Sequence, residues 1–180
     1  MSLKEMDVLF ALSVIKESMP KLVSSIETSN GDMHIFTGKE NIIDFAKFLK
    51  DDSRLQFDML SDLFAVDYPK KPERIEVIYN FYSTKNNFRI FVKSRSKINE
   101  PDYPSLTPLY NSANWFEREV YDMFGLKFKG HPDLKRILNP DDWEGHPLLK
   151  DYPLRQRPPV ETINFDTPGY VEMDEITQKP

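Results

Sequence analysis

The chain contains no cysteine among its 180 residues. This absence excludes disulfides, thiolate nucleophiles, cysteine-based zinc sites and cysteine-ligated iron–sulfur clusters from this chain. The sequence also has no apolar run of the roughly 18 residues that a membrane-spanning helix needs. Its first residues, MSLKEMDVLF, carry Glu5 and Asp7 and lack a signal-peptide pattern. We therefore expect a folded chain that crosses no membrane and suits a reducing compartment.

Positive charge is in the minority, with 24 Lys and Arg against 29 Asp and Glu, a net charge of −5. Binding to phosphate backbones requires a cationic surface, so the composition argues against nucleic acid as a partner. No glycine-rich phosphate loop follows a predicted strand, so no nucleotide site is indicated. Apolar residues make up 39% of the chain, which is enough to build a core.

Proline is scarce in the first 100 residues, which hold only three of the 14 prolines, Pro20, Pro69 and Pro72. The last 80 residues hold the other eleven. Because proline removes a backbone donor and interrupts helices and central strands, regular structure is expected to dominate the first part and irregular backbone the second.

Two helices are predicted in the first half. The first covers Leu3 to Ser18 and is stopped by Pro20. Its apolar residues at helical spacing are Val8, Leu9, Leu12 and Ile15. The second covers Glu40 to Lys50, and its wide apolar stripe indicates burial against a sheet.

The strands are predicted from alternation and turn residues. Asn30-Gly31 suits a type I′ turn, so Lys21 to Thr37 is expected to be a hairpin. Three further β segments, 55–68, 73–82 and 88–92, are joined by short links that permit only antiparallel neighbours. In the first of them, alternation places Met59 with Leu63 on one face and Leu60 with Phe64 on the other. The fold class is therefore α+β: a mixed or antiparallel sheet of about five strands, flanked by two to three helices and followed by a long irregular C-terminal extension.

The chain divides into four parts on this basis. Residues 1–98 form the α+β domain, and 99–111 form a proline-rich linker outside the sheet. Residues 112–154 form a helix and a charged, proline-punctuated segment. Residues 155–180 form an extended tail with few apolar residues, expected to be ordered only along a partner.

The helix of the third part is predicted to begin at Asn114 as N-cap, with Glu117 completing a capping box and Gly125 ending the helix. Glu117, Arg118, Glu119 and Asp122 cover much of its polar surface. Two interpretations remain open: a solvated helix face, or carboxylates and Arg118 that bind defined partners.

A pattern G-H-P-x-L-K occurs twice, at Gly130 to Lys135 and at Gly145 to Lys150. Proline restricts each preceding histidine to extended backbone, and glycine permits an unusual turn. His131 and His146 lack the spacing of a zinc motif, so we favour fixed corners that hydrogen-bond a neighbouring surface. Among other carboxylates, Asp58 and Asp62 are too far apart along a strand to share one metal ion.

The third part resembles a known family over about 40 residues. The matching residues are Glu117-Arg118-Glu119, Asp122-Met123-Phe124, His131, Lys135, Ile137-Leu138 and the run Gly145 to Leu154. This pattern is similar to the signature of the 30 kDa subunit, also called the C subunit, of the proton-translocating NADH:quinone oxidoreductase, respiratory complex I. Leu149 departs from the family, which often has Arg there. Pro140 to Trp143 also resembles the related ferredoxin-dependent photosynthetic complex.

The resemblance implies a non-catalytic structural subunit of that enzyme. It implies no flavin, cluster or quinone ligand in this chain; FMN, the iron–sulfur clusters and quinone would be held by partner subunits. The partners implied are the D, B and I subunits of the peripheral arm, on the cytoplasmic face of the inner membrane or its organellar equivalent, with membrane contact only through the complex. The residues implied at subunit interfaces are Glu117, Arg118, Glu119, Asp122, His131, Lys135, Arg136, His146, Lys150 and Asp151.

Two alternatives remain. The same role in a membrane-bound hydrogenase or in the ferredoxin-dependent photosynthetic complex would use the same residues. A hypothesis of another class is a small metal-dependent hydrolase using His131 and His146.

Overall fold

A computed structural model of the chain describes residues 3–100 and 102–153. The helices are α1 (Leu3–Ser18), α2 (Ile42–Asp51) and α3 (Ala113–Phe124), and a 3-10 turn, Lys39–Asn41, leads into α2. The strands are β1 (Ser25–Ser29), β2 (Asp32–Phe36), β3 (Met59–Asp67), β4 (Ile75–Ser83), β5 (Phe88–Ser96), β6 (Asp102–Pro104) and β7 (Lys127–Lys129). The tail predicted at 155–180 lies outside the described residues.

Five strands form one sheet in the order β1-β2-β5-β4-β3. The β1–β2 and β3–β4–β5 neighbours are antiparallel, and β2 pairs parallel with β5. The α+β class with a mixed five-stranded sheet is therefore confirmed. The hairpin turn is confirmed as well, with φ of 53° at Asn30 and 80° at Gly31.

Helices α1 and α2 contribute apolar side chains to the core beneath the sheet. Phe45 and Leu49 of α2 are fully buried, as are Met33 and Ile35 of β2. The face of α1 differs in part from the prediction: Ile15 is buried and Leu12 packs against the core, but Leu9 is 51% exposed, and the side chain of Val8 lies outside the described part. Among the described side chains of α1, the buried ones are Ala11, Val14 and Ile15. These three follow the i, i+3, i+4 spacing of one helical face, which is rotated away from Leu9.

Strand β3 contains an irregularity that its alternation did not reveal. The register against β4 shifts between Leu60 and Asp62, so Leu60 and Leu63 are both buried at 1% exposure. Met59 is 48% exposed, and the expectation that it shares the face of Leu63 is wrong. One extra residue in a strand reverses the facing of everything before it, which is the effect seen here.

The segment predicted as a linker, 99–111, is packed against the domain. It contains β6, which pairs parallel with β7 in a separate two-stranded sheet. Tyr103, Leu106 and Tyr110 are buried, and the Tyr110 hydroxyl donates a hydrogen bond to the Phe57 carbonyl at 2.8 Å. These contacts fix the start of α3 beside β3.

Candidate functional site

Helix α3 begins slightly earlier than its charge pattern suggests. Its N-cap is Ser112, which makes no side-chain capping bond; its hydroxyl donates to the Leu60 carbonyl of β3 at 2.9 Å. The capping box predicted from Asn114 and Glu117 is wrong, because Asn114 lies inside the helix. The predicted end is right: Gly125 has φ 76°, and its N–H donates to the Tyr121 carbonyl at 2.9 Å.

Glu117 is fully buried, so its carboxyl group is not part of a solvated face. One oxygen accepts the N–H of Leu106 at 2.7 Å, and the other has no hydrogen-bond partner among the described residues. Burial raises the pKa of Glu117 to about 7, against the opposing influence of the Leu106 N–H and the Ser105 hydroxyl. This signature residue therefore acts inside the domain.

Asp122 is also fully buried, and its carboxylate accepts hydrogen bonds from the chain that follows α3. One oxygen accepts the backbone N–H groups of Ile137, Leu138 and Asn139 at 3.0, 2.8 and 2.9 Å. The other accepts the Arg136 guanidinium at 2.6 Å and the Asn139 side-chain amide at 3.0 Å. Burial alone would raise the pKa of Asp122, but these donors outweigh it and hold the pKa well below its usual value.

Two arginines extend this arrangement. The Arg136 guanidinium, 14% exposed, also donates to the carbonyls of Trp143 at 2.8 Å and Gly145 at 3.0 Å. Arg118 donates to the carbonyl of Lys135 at 3.2 Å and to that of Arg136 at 3.0 Å. Its guanidinium carbon lies 5.3 Å from the centre of the Trp115 ring. Four distant backbone carbonyls are thus fixed by two planar cations.

The two histidines form the corners that their Gly-His-Pro context predicts, with φ of 87° at Gly130 and 81° at Gly145. Nδ1 of His131 accepts the Asp133 N–H at 3.1 Å, so Nε2 carries the proton and donates to the Asn114 carbonyl at 3.1 Å. His146 donates from Nδ1 to the Asp122 carbonyl at 2.9 Å. The surface that both corners bind is the chain's own helix α3.

A metal centre finds no support around these histidines. Within residues 3–100 and 102–153, no group of three or more His, Asp or Glu side chains is placed to hold a metal ion. The ring nitrogens described above are used for backbone hydrogen bonds instead.

The end of the irregular segment that follows α3, at Lys150 and Asp151, contacts the β3–β4 turn. The buried Asp67 carboxylate accepts from Arg74 at 2.6 Å and from the Lys150 N–H at 2.7 Å. Arg74 also pairs with Asp151. The Arg74 hydrogen bonds are the main reason that the pKa of Asp67 is lowered, with burial opposing them. No pattern in the sequence pointed to Arg74.

We call residues 131–153 the clasp. Not one residue from 129 to 153 is buried, and the clasp contains no helix or strand. Of the remaining signature positions, Lys135 pairs with Asp133 at 2.7 Å on the surface. Glu119 is exposed and has no hydrogen bond or ion pair within the described part of the chain. The structure thus assembles most of the signature into one set of contacts between α3, β3 and the clasp.

None of the helices in the described ranges is long and apolar enough to span a bilayer. Fold and site together define a class of protein: an α+β domain that fastens a long irregular segment to its surface through buried charged groups.

The comparisons with known proteins give the family. The family described as "Respiratory-chain NADH dehydrogenase, 30 Kd subunit" matches residues 35–158, and the chain belongs to this family. It is 43% identical over 155 residues to the C subunit of the NADH-quinone oxidoreductase of Roseiflexus sp., covering 86% of this chain and 89% of that one. It is 45% identical over 139 residues to the mitochondrial NADH dehydrogenase iron-sulfur protein 3 of Candida albicans, covering 77% of this chain and half of that longer one.

Two solved structures share the fold. The trypsin-resistant fragment of Nqo5 is 32% identical, with a TM-score of 0.59, and the match covers 69% of this chain and 98% of the fragment. The archaeal membrane-bound sulfane sulfur reductase matches at 24% identity with a TM-score of 0.71, over 82% of this chain and 86% of the matched chain. At that identity the second likeness concerns the fold alone.

Proposed function

We propose that this chain is a structural subunit of the peripheral arm of a proton-pumping NADH:quinone oxidoreductase, where it holds cluster-bearing and quinone-binding subunits together. The enzyme activity belongs to the complex. FMN, iron–sulfur clusters and quinone are carried by other subunits, and this chain supplies no ligand to them. Its neighbours are the D, B and I subunits, on the cytoplasmic side of the membrane, which the chain reaches only through the complex.

The observation that carries this proposal is the clasp. It lies on the domain with no fully buried residue, yet Asp122, Arg136, Arg118 and Asp67 fix its backbone at both ends. A segment of this kind has no core of its own to stabilise it. A surface fixed in advance loses less conformational entropy when a partner binds, which favours a role in holding other proteins.

The residues that fix the clasp do not determine the electron donor or acceptor of the complex. The same structural role would therefore also suit a membrane-bound hydrogenase or a ferredoxin-dependent photosynthetic complex. The proteins that co-purify after mild detergent extraction distinguish these alternatives. The geometry favours the structural role over the metal-hydrolase hypothesis, because both ring nitrogens of His131 and Nδ1 of His146 form hydrogen bonds with backbone groups.

Arg118→Ala tests the proposal. The sheet core does not include Arg118, so the isolated domain should remain folded while assembly of the complex is impaired. The substitution removes the hydrogen bonds of a charged group to the Lys135 and Arg136 carbonyls, each worth about 1.5–3 kcal/mol, and so loosens the clasp. Native gels of membranes from a strain with this substitution measure the assembled fraction.

Arg89→Ala is the matched control, since Arg89 lies on β5, away from α3, where it pairs with Asp32 and is 49% exposed. It should leave assembly unchanged. A fully assembled and fully active complex with Arg118→Ala would overturn the structural role.

A further inference from the structure

A small cleft lies between β3 and α3, where the clasp returns to the domain. It has a volume of about 70 Å³, roughly the room taken by one aliphatic side chain. Phe64 of β3, Val120 and Met123 of α3 and Leu148 of the clasp contribute apolar walls. Glu119 is the one charged side chain among the described residues that line it.

Val120 and Met123 form a buried floor to this cleft, and its two exposed walls, Phe64 and Leu148, are fixed in place. Leu148 is 49% exposed, and its N–H donates to the Met123 carbonyl at 3.0 Å. Phe64 is 38% exposed and sits opposite Ile78 in the β3–β4 ladder. Exposed apolar side chains on rigid backbone are typical of protein-docking surfaces rather than of mobile loops.

The cleft continues along one stripe of α3. Trp115, Glu119 and Met123 follow one another at spacings of four residues and therefore share a helix face. Trp115 is 61% exposed, and Arg118 packs against its ring. Since aromatic and arginine side chains dominate binding energy at protein interfaces, this stripe has the composition of a docking surface.

Charge selects the occupant of the cleft. The Glu119 carboxylate on the rim makes no ion pair or hydrogen bond with any described residue. The neighbouring Arg118 is already committed to the carbonyls of Lys135 and Arg136. A free carboxylate beside an apolar cleft complements a cation that follows an apolar side chain.

We propose that this cleft is the docking point for a partner protein, which inserts one aliphatic side chain between Phe64 and Leu148 and places an adjacent Lys or Arg on Glu119. The partner is another subunit of the same complex, so the proposal rests on the proposed function. It adds to that function by naming the contact and the chemistry that recognises it.

Site-specific photo-cross-linking in the assembled complex tests the contact. A benzophenone amino acid at Leu148 should cross-link to a partner peptide in which an aliphatic residue adjoins Lys or Arg. The control is the same probe at Ile43 of α2, which is 39% exposed and should not label that peptide. No inter-subunit cross-link from Leu148, or one to a peptide without a basic residue, overturns the proposal.

Charge reversal tests the chemistry. Glu119→Arg should lower the yield of assembled complex about tenfold, and reversing the cross-linked partner cation to Glu should restore it. Glu100→Arg is the matched control, because Glu100 is an exposed carboxylate outside α3 and the clasp that already pairs with Lys97. Assembly unaffected by Glu119→Arg, or reduced equally by Glu100→Arg, overturns the proposal.

The outcomes separate this proposal from the proposed function. If Arg118→Ala blocks assembly while Leu148 cross-links nothing, the structural role stands and the docking cleft fails. If the chain does not co-purify with the complex, both fail.

Discussion

Strands β3 and β5 bury alternate side chains along most of their length and β4 buries nearly all of its residues, whereas no residue of the clasp is fully buried. The sheet domain is stabilised by many apolar contacts, each contributing about 25 cal/mol for every Å² removed from water. The clasp packs Leu134 and Leu149, both partly buried, against that core. It depends chiefly on charged groups, Asp122 with Arg136 and Asp67 with Arg74. The difference is one of distribution: stability is shared among many residues in the sheet and concentrated in a few at the clasp.

The largest loss of stability is expected from two separate substitutions, one in the sheet core and one in the group that holds the clasp. Phe45→Ala removes a fully buried core ring and should lower the global free energy of unfolding by about 3–5 kcal/mol. Asp122→Asn should weaken the clasp by a similar roughly 3–5 kcal/mol, because it leaves Arg136 and three N–H groups without their anion. Urea denaturation and hydrogen exchange measure the two separately.

With Asp122→Asn, exchange at Ile137, Leu138 and Asn139 should accelerate while the β4 amides stay protected. Asp133→Asn serves as control, since that carboxylate is exposed and pairs only on the surface. Unchanged protection at Ile137 to Asn139 would show that Asp122 does not hold the clasp.

The second effect concerns pH and the buried carboxyl group of Glu117. Its pKa in the folded state is about 7, above the 4.5 of an unperturbed glutamate. The folded state therefore retains a proton that the unfolded state loses, and stability falls as pH rises from about 4.5 to about 7, by at most ~3 kcal/mol. Glu117→Gln should abolish this slope and raise stability at pH 8.

Urea denaturation at pH 5 and pH 8 measures this effect, with the exposed Glu119→Gln as control. Asp122 contributes in the opposite direction but only in acid, because its folded pKa is lowered from 3.8 and its stabilising charge is lost as pH falls below that. Equal pH dependence in the wild type and in Glu117→Gln would refute the role of Glu117.

The smallest loss of stability is expected from alanine substitutions at two glycines. Gly125 and Gly130 both have positive φ, so alanine costs about 1–2 kcal/mol of backbone strain at either site. At Gly125 a Cβ would also lie 2.7 Å from the His146 ring, whereas nothing lies within 4 Å at Gly130. Gly125→Ala should therefore lower the melting temperature more and accelerate exchange in the clasp. Identical behaviour of the two variants would mean that the His146 contact is dispensable.

Local signals predicted most of the sheet domain. Asn30-Gly31 specified its hairpin because that dipeptide meets the positive φ of the turn, and Gly125 ended α3 for a similar reason. The register shift in β3 was missed because alternation assigns faces by counting, and one extra residue invalidates the count. Strands β6 and β7 were missed because three residues each carry no periodicity.

The candidate site was recognised but its contacts were not. The resemblance selected Glu117, Asp122, Arg136 and His146, yet nothing local shows that the two carboxylates are buried. Burial of Asp122 depends on donors 14 to 17 residues further along the chain. The placement of Arg74 beside Asp67 and Asp151 depends on the β3–β4 turn meeting the end of the clasp. Such contacts arise from the tertiary fold, which periodicity does not encode.

The position of α3 beside β3 has a further consequence for solubility. Strand β3 is an edge of the sheet, nine residues long, and an uncovered edge of that length invites pairing with another chain. The opposite edge, β1, is shorter and polar in composition. Ser112 binds the Leu60 carbonyl, and Lys150 closes on Asp67 at the other end of β3. The start of α3 and the end of the clasp therefore contact the two ends of this edge strand.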